Sequence, residues 1–274
     1  MRAPVAWFHR ADGPAAGLKA LGIGAPSQQR MRVPIVAFLL EHPTAGLVLV
    51  DTGFHRSIAD DRRGEGARNL GPLGHLLARD LSMRPDQAVS EQLRALGLRT
   101  ADVELIVMTH LHFDHASALS EFPGATVLVA DSEWRAARAP RSFLHGYSRG
   151  QLDARVTYRT IDFASHAGPA QGPFAQSIDV FDDGSLTLVA TPGHSVGHLS
   201  AIVRLCDREA LIAGDAVYTM ATLREGERPW RSEDKAAFER SLGAISAYDR
   251  EHPDALIIPG HDMTAWEQLE ERYC

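Results

Sequence analysis

Short apolar runs rich in β-branched residues recur along the chain, and most end in turn chemistry. The first are Val33 to Leu40, Gly46 to Val50 before Asp51-Thr52-Gly53, Val103 to Met108 before Thr109-His110, and Ala125 to Ala130. Ser185 to Ala190 before Thr191-Pro192-Gly193, Leu199 to Leu205, Ala210 to Ala213 before Gly214-Asp215, and Ala255 to Ile258 before Pro259-Gly260-His261 follow. Runs of this length bounded by Gly, Pro and Asp predict buried or half-buried strands. Three stretches between them predict helices: Pro85 to Leu96 before Gly97, Ser132 to Arg138, and Ser232 to Arg250. In the last, Ser232-Glu233-Asp234-Lys235 offers an N-cap with acids in the first turn. Phe238, Leu242, Ile245 and Tyr248 then recur at helical spacing and give that helix one apolar face. Strands followed by helices in each half predict two sheets packed face to face with helices outside. The segments Arg10 to Met31, Asp60 to Met83 and Ala139 to Gln176 are rich in Gly, Pro, Ala and Arg, and read as excursions of the kind that forms substrate lids.

The 274 residues are 45% apolar and 23% charged, which fits one globular domain spanning 1–274 with a sizeable core. A net charge of −7 argues against nucleic acid as a partner, since phosphate binding needs a cationic surface. No apolar run is long enough to span a membrane and the first residues lack a signal-peptide pattern, so the expected location is cytoplasmic. Cys206 and Cys274 are the only cysteines. They form no disulfide framework and belong to no thiolate metal motif.

The chemistry concentrates at His110-Leu111-His112-Phe113-Asp114-His115, where a strand runs into what reads as the start of a helix at Ala116 to Leu119. Residues two apart on extended backbone point the same way, so His110 and His112 can face one point while Asp114 and His115 turn toward a neighbouring one. Desolvating so many titratable groups together is costly unless a cation compensates. Imidazole with carboxylate suits zinc and related divalent metals. His194, Asp215 and His261 each follow a strand and a glycine that lets the backbone turn tightly. Singly each is weak; at successive strand ends they complete a site.

The run Thr109 to His115, with His194, Asp215 and His261, resembles the metal-ligand pattern of the metallo-β-lactamase superfamily, and Asp51 in Leu49-Val50-Asp51-Thr52-Gly53 resembles its first motif. The match runs from about Val33 to His261. The resemblance implies an α/β fold, a four-layer αββα sandwich of two mixed β-sheets flanked by helices. It also implies two divalent metal ions. His110, His112 and His194 would hold one, Asp114, His115 and His261 the other, with Asp215 bridging. Zinc is the first expectation, with manganese, cobalt or iron(II) also accepted by an all-His/Asp site. Asp51 would fix a ligand loop, a role weighed equally against that of a plain turn aspartate.

Within the superfamily, Asp215 moves the expectation away from β-lactam hydrolysis, whose enzymes lack that bridging carboxylate, and His112 away from the flavodiiron members. Tyr218, three residues after Asp215, resembles the N-acyl-homoserine lactonase branch, as does Phe143-Leu144-His145-Gly146-Tyr147 more loosely. That branch implies attack of a metal-held hydroxide on a lactone carbonyl. Tyr218 would act as an oxyanion donor and Asp114 would shuttle the proton to the ring oxygen. A simpler reading makes Tyr218 an aromatic packed on its loop. Phe143, Tyr147 and Met220 are candidate walls for the acyl chain, and His198 a supporting histidine beside the site. The rival enzymatic readings are a glyoxalase II-like thioesterase, for which Arg224, Arg228 and Arg231 offer a cationic cluster, and an esterase of aryl or organophosphate esters. A non-catalytic metal-binding module is the rival outside enzymology, disfavoured by the full ligand set. The expected partner is a small ester or lactone substrate. A homodimer, with Arg10 to Met31 as its contact, is consistent with the branch.

Overall fold

In the computed structural model, residues 1–5, 8, 30–77, 81–152, 156–166 and 170–274 are described. Most of the Arg10 to Met31 segment, and with it the expected dimer contact, lies outside the described residues. Two compact units divide the chain, one of Met1 and Ile35–Ile161, the other of Arg2–Pro34 and Asp162–Cys274. In the second unit β1 (Arg2–Pro4) and β2 (Arg30–Arg32) pair as an antiparallel ribbon.

The apolar runs of the first half build one mixed sheet in the first unit. β3 (Phe38–His42), β4 (Gly46–Val50), β5 (Val103–Val107), β6 (Thr126–Ala130) and β7 (Thr157–Ile161) lie in that order. β3 and β4 form a hairpin, with His42 opposite Gly46, while β4 to β7 are parallel neighbours. Parallel neighbours cannot be joined by a tight turn, so the chain returns through helices. α1 (Glu65–Leu77, broken at Gly71) and α2 (Val89–Ala95) join β4 to β5, and α3 (Phe113–Ala116) joins β5 to β6. α4 (Asp131–Arg138) and α5 (Arg149–Leu152) join β6 to β7. Leu49, Ile106, Val127 and Val129 from the strands pack with Met108, Leu119 and Phe122 in one core cluster. Each such fully buried side chain contributes about 1.5–3 kcal/mol of transfer free energy. The four strands from β4 to β7 point the same way, so Asp51 and His110 follow the carboxyl ends of adjacent strands. In open sheets that edge is where sites form.

The second unit holds the other mixed sheet. β8 (Ser177–Asp179), β9 (Leu186–Ala190), β10 (Leu199–Arg204) and β11 (Glu209–Gly214) are successive antiparallel neighbours, and β12 (Leu256–Pro259) adds parallel to β11. These directions put the carboxyl ends of β9, β11 and β12 on one edge. α6 (Met220–Arg224), α7 (Lys235–Glu251) and α8 (Met263–Glu267) complete the unit. Phe238, Leu242, Ile245 and Tyr248 are all buried, as the helical spacing predicts.

Several boundaries differ from the sequence reading. The strand expected at Val33 to Leu40 begins only at Phe38, because Pro34 cannot donate to a ladder. The helix expected at Pro85 to Leu96 is a 3₁₀ turn at Pro85–Gln87 followed by α2. Asp234, not Ser232, caps α7, its side chain accepting from the Ala237 N–H. The helical turn after the His motif begins at Phe113 rather than Ala116. The expected excursions at Asp60 to Met83 and Ala139 to Gln176 contain α1, α5 and β7. No helix among the described residues is long and apolar enough to cross a membrane.

Candidate functional site

In the first unit the His motif leaves β5 and enters α3, with His112 at the helix N-cap position in extended backbone. His110, Asp114 and His115 are buried and His112 is half-buried. The His110 ring lies 4.6 Å from that of His112 and 4.1 Å from that of His115 between centroids. Asp51 holds this loop from the end of the adjacent strand, in left-handed backbone with φ 58°. Its carboxylate accepts from the Thr109 N–H at 2.8 Å, from the Thr109 hydroxyl at 2.8 Å, and from His115 Nδ1 at 2.8 Å. Thr52 next to it donates from its N–H and hydroxyl to the His115 carbonyl. Asp51 therefore fixes a ligand loop, and with the Nδ1 proton committed, His115 presents its Nε2 lone pair.

Two supports escape sequence reasoning. Glu133 in α4 is fully buried and accepts from the Leu111 N–H at 2.9 Å, between the two histidines. A lone glutamate in a charge-rich helix carries no signal of that. Gly146 (φ 96°) passes so close to His112 that a Cβ would lie 3.1 Å from the ring, and its carbonyl accepts from the Phe113 N–H. Of the expected acyl-chain walls, Tyr147 is buried against His112 at 5.0 Å between ring centroids, Phe143 is exposed, and Met220 is half-buried at the head of α6.

In the second unit His194, Asp215 and His261 follow β9, β11 and β12, the three strands that end on one sheet edge, and all are buried. Asp215 lies between the two histidines, its Oδ2 3.3 Å from His194 Nε2 and its Oδ1 3.1 Å from His261 Nε2. His261 Nδ1 donates to the Pro34 carbonyl at 3.1 Å. In the neutral imidazole its Nε2 lone pair faces a carboxylate oxygen at 3.1 Å, an approach of two acceptors that a cation between them would satisfy. The donor set fits a divalent metal on that ground.

The backbone around these residues is tightly constrained. The Gly193 N–H donates to the Ser195 carbonyl, and its own carbonyl accepts from the Asp234 N–H at the start of α7. The Gly260 and His261 N–H groups donate to the Val217 and Tyr218 carbonyls at 2.9 Å. Tyr218 is itself buried, its hydroxyl 2.7 Å from His194 Nδ1 and its ring 5.7 Å from that of Phe8 between centroids. His198 accepts from the Asp215 N–H through Nε2 at 3.0 Å. Its Nδ1 proton then goes to Thr191, the Thr191 hydroxyl to Ser200, and Ser200 to the Ala213 carbonyl. This relay holds the Asp215 turn. Arg224 and Arg228 meet acids of α7, Asp249 at 3.8 Å and Glu239 at 2.6 Å.

Residues 30–261 match the family model of the metallo-beta-lactamase superfamily. The N-acyl homoserine lactonase AttM of Agrobacterium fabrum (strain C58) is 33% identical over 242 residues, covering 87% of this chain and 86% of that protein. Among solved structures, an N-acyl homoserine lactone hydrolase carrying the product N-hexanoyl-L-homoserine at its catalytic metal center is similar at a TM-score of 0.76 and 22% identity. The match covers 100% of this chain and 94% of that one. A variant of AiiA from B. thuringiensis with N-decanoyl-L-homoserine at its active site gives a TM-score of 0.75 at 21% identity, over 100% and 94%. These likenesses fix the fold as two mixed sheets flanked by helices, as expected from the sequence.

Proposed function

The chain belongs to the metallo-beta-lactamase superfamily, and from that premise we propose that it is a dinuclear metal-dependent hydrolase that opens the lactone ring of N-acyl-homoserine lactones and so quenches quorum signals. The observation that carries this reading is Asp215 set between His194 and His261, with the Tyr218 hydroxyl on the far nitrogen of His194. In the family's pattern, carried onto this chain residue by residue, His110, His112 and His194 would hold one ion, Asp114, His115 and His261 the other, and Asp215 would contribute to both. Residues 1–274 would act as one hydrolase domain in the cytoplasm. Zinc is the proposed metal, since imidazole and carboxylate are its usual nitrogen and oxygen ligands.

When bound, the metal pair supplies an activated water and polarises the ester carbonyl. The rest of the reaction is assigned to side chains. With His194 Nε2 reserved for the ion, Nδ1 would carry the ring proton and donate it to the Tyr218 oxygen, which leaves the phenol's own proton to donate. Tyr218 gives that hydrogen bond to the carbonyl oxygen as negative charge develops there. Asp114 takes the proton of the attacking water and returns it to the ring oxygen, and the product is the open hydroxy acid. Two of the three arginines that the thioesterase alternative would use, Arg224 and Arg228, meet acids of α7.

The test is a kcat/KM comparison on metal-replete protein across N-acyl-homoserine lactones, other lactones, paraoxon and S-lactoylglutathione. N-acyl-homoserine lactones are expected to give the highest value. A higher value on S-lactoylglutathione or paraoxon overturns the substrate assignment.

A further inference from the structure

The only two cysteines of the chain stand far apart in sequence, and both are solvent-exposed. Cys206 lies in the tight turn between β10 and β11, closed by the Leu205 N–H on the Arg208 carbonyl at 2.8 Å. Cys274 reaches this turn at the end of a segment that leaves α8 and folds back on itself, where the Glu270 N–H donates to the Tyr273 hydroxyl. The Cys206 N–H donates to the Cys274 carbonyl at 3.0 Å, which holds the two residues side by side. A backbone hydrogen bond brings two chain segments to about the 4.5–5.5 Å Cα spacing of neighbouring strands, within the range of about 4.4–6.8 Å that a disulfide spans. Accessible thiols on backbones already joined need little movement to bond.

We propose that Cys206 and Cys274 are a reversible redox site, forming an intrachain disulfide when the protein meets a low-molecular-weight disulfide such as oxidised glutathione. The thiolate of one cysteine attacks a sulfur of the oxidant, giving a mixed disulfide and releasing one glutathione thiolate. The thiolate of the other cysteine then attacks the protein-side sulfur and expels the second. Two cysteine thiols are oxidised, one glutathione disulfide is reduced, and the two thiol protons pass to solvent or to the departing thiolates. The hydrogen bond to Cys274 pushes the Cys206 thiol above its ordinary value. Exchange needs a thiolate, so the reaction accelerates as pH rises. The bond would tether the segment after α8 to the β10–β11 turn, which lies at the opposite end of β11 from Asp215, about 20 Å of strand away. Oxidation is therefore expected to change stability and to leave the metal donors in place.

The experiment treats the native full chain with oxidised glutathione at alkaline pH and reads intact mass, titratable thiols and Tm. The expected product is a monomer lighter by two hydrogens, with neither thiol titrating, a Tm raised by several degrees because a long loop is closed in the unfolded chain, and full reversal by dithiothreitol. Cys206→Ser and Cys274→Ser should each carry one glutathione instead, with no gain in Tm. Two glutathiones on the wild-type chain, two thiols still titrating, or disulfide-linked dimers of the wild type would each overturn the proposal. None of these readouts depends on the lactonase assignment.

Discussion

Tyr218 is picked out in the sequence by its offset from Asp215 alone, a signal that serves equally well for a packed aromatic. The structure gives it both parts: a buried ring against Phe8, and a hydroxyl 2.7 Å from His194 Nδ1. If the phenol donates to the developing oxyanion, Tyr218→Phe removes one charge-assisted hydrogen bond while the ring still packs. The expected loss is about 1–3 kcal/mol of transition-state stabilisation, roughly ten- to hundredfold in kcat/KM on a lactone. Metal content by elemental analysis should stay at the wild-type value. An unchanged kcat/KM would reduce the hydroxyl to an orienting partner of His194. Asp51 shows the complementary case. Its place at a strand end before Thr52-Gly53 is legible, but whether it is an idle turn residue is decided only by its left-handed φ and by the Thr109 and His115 hydrogens it accepts.

One helix shows how element positions are enforced. Gly193 (φ 134°) lies under the first turn of α7, where a Cβ would come within 2.2 Å of the Phe238 nitrogen and 2.4 Å of its Cα. Backbone cannot yield as a side-chain tip does, so Gly193→Ala must displace the helix that fixes the His194 turn. A destabilisation of about 3 kcal/mol or more is expected, from overpacking and a strained φ together. Gly243, on the exposed face of the same helix, has nothing within 4 Å of its Cβ position. Gly243→Ala should therefore stabilise by about 0.4–1 kcal/mol. Thermal denaturation of the two variants checks the pair, and equal shifts would contradict the close approach at Gly193. The legibility of elements follows the same physics. β5, β6, β10 and β11 are found from sequence because they are buried along most of their length and read as continuous apolar runs. β7, Thr157–Ile161, is largely exposed and polar, and so has neither a run nor an alternation to reveal it. In α1 a glycine and a proline interrupt the helical pattern, and the stretch reads as a loop.

The seven metal-ligand candidates are legible at the scale of the molecule because they stand at strand ends in a spaced pattern, whereas the division of the chain is not. The second unit takes its residues from both sides of the first, and no linker or change in composition marks Pro34 or Ile161. Binding of the two proposed ions should stabilise the folded chain. An ion that binds the native chain and not the unfolded one stabilises by RT ln(1 + [L]/Kd), about 2.7 kcal/mol at a hundredfold excess over Kd. Two such ions give about 5 kcal/mol, and a chain of this length loses roughly 2–4 °C per kcal/mol. Chelation should accordingly lower Tm by about 10–20 °C, restored by zinc, with calorimetry and elemental analysis run on the same samples. Re-addition of manganese or cobalt, ranked by recovered kcat/KM on a lactone, then identifies the ion that the all-His/Asp donors use best. A protein stripped of both ions that melts at the original temperature would mean that these buried histidines and carboxylates fold without regard to metal, and the dinuclear reading would fall with it.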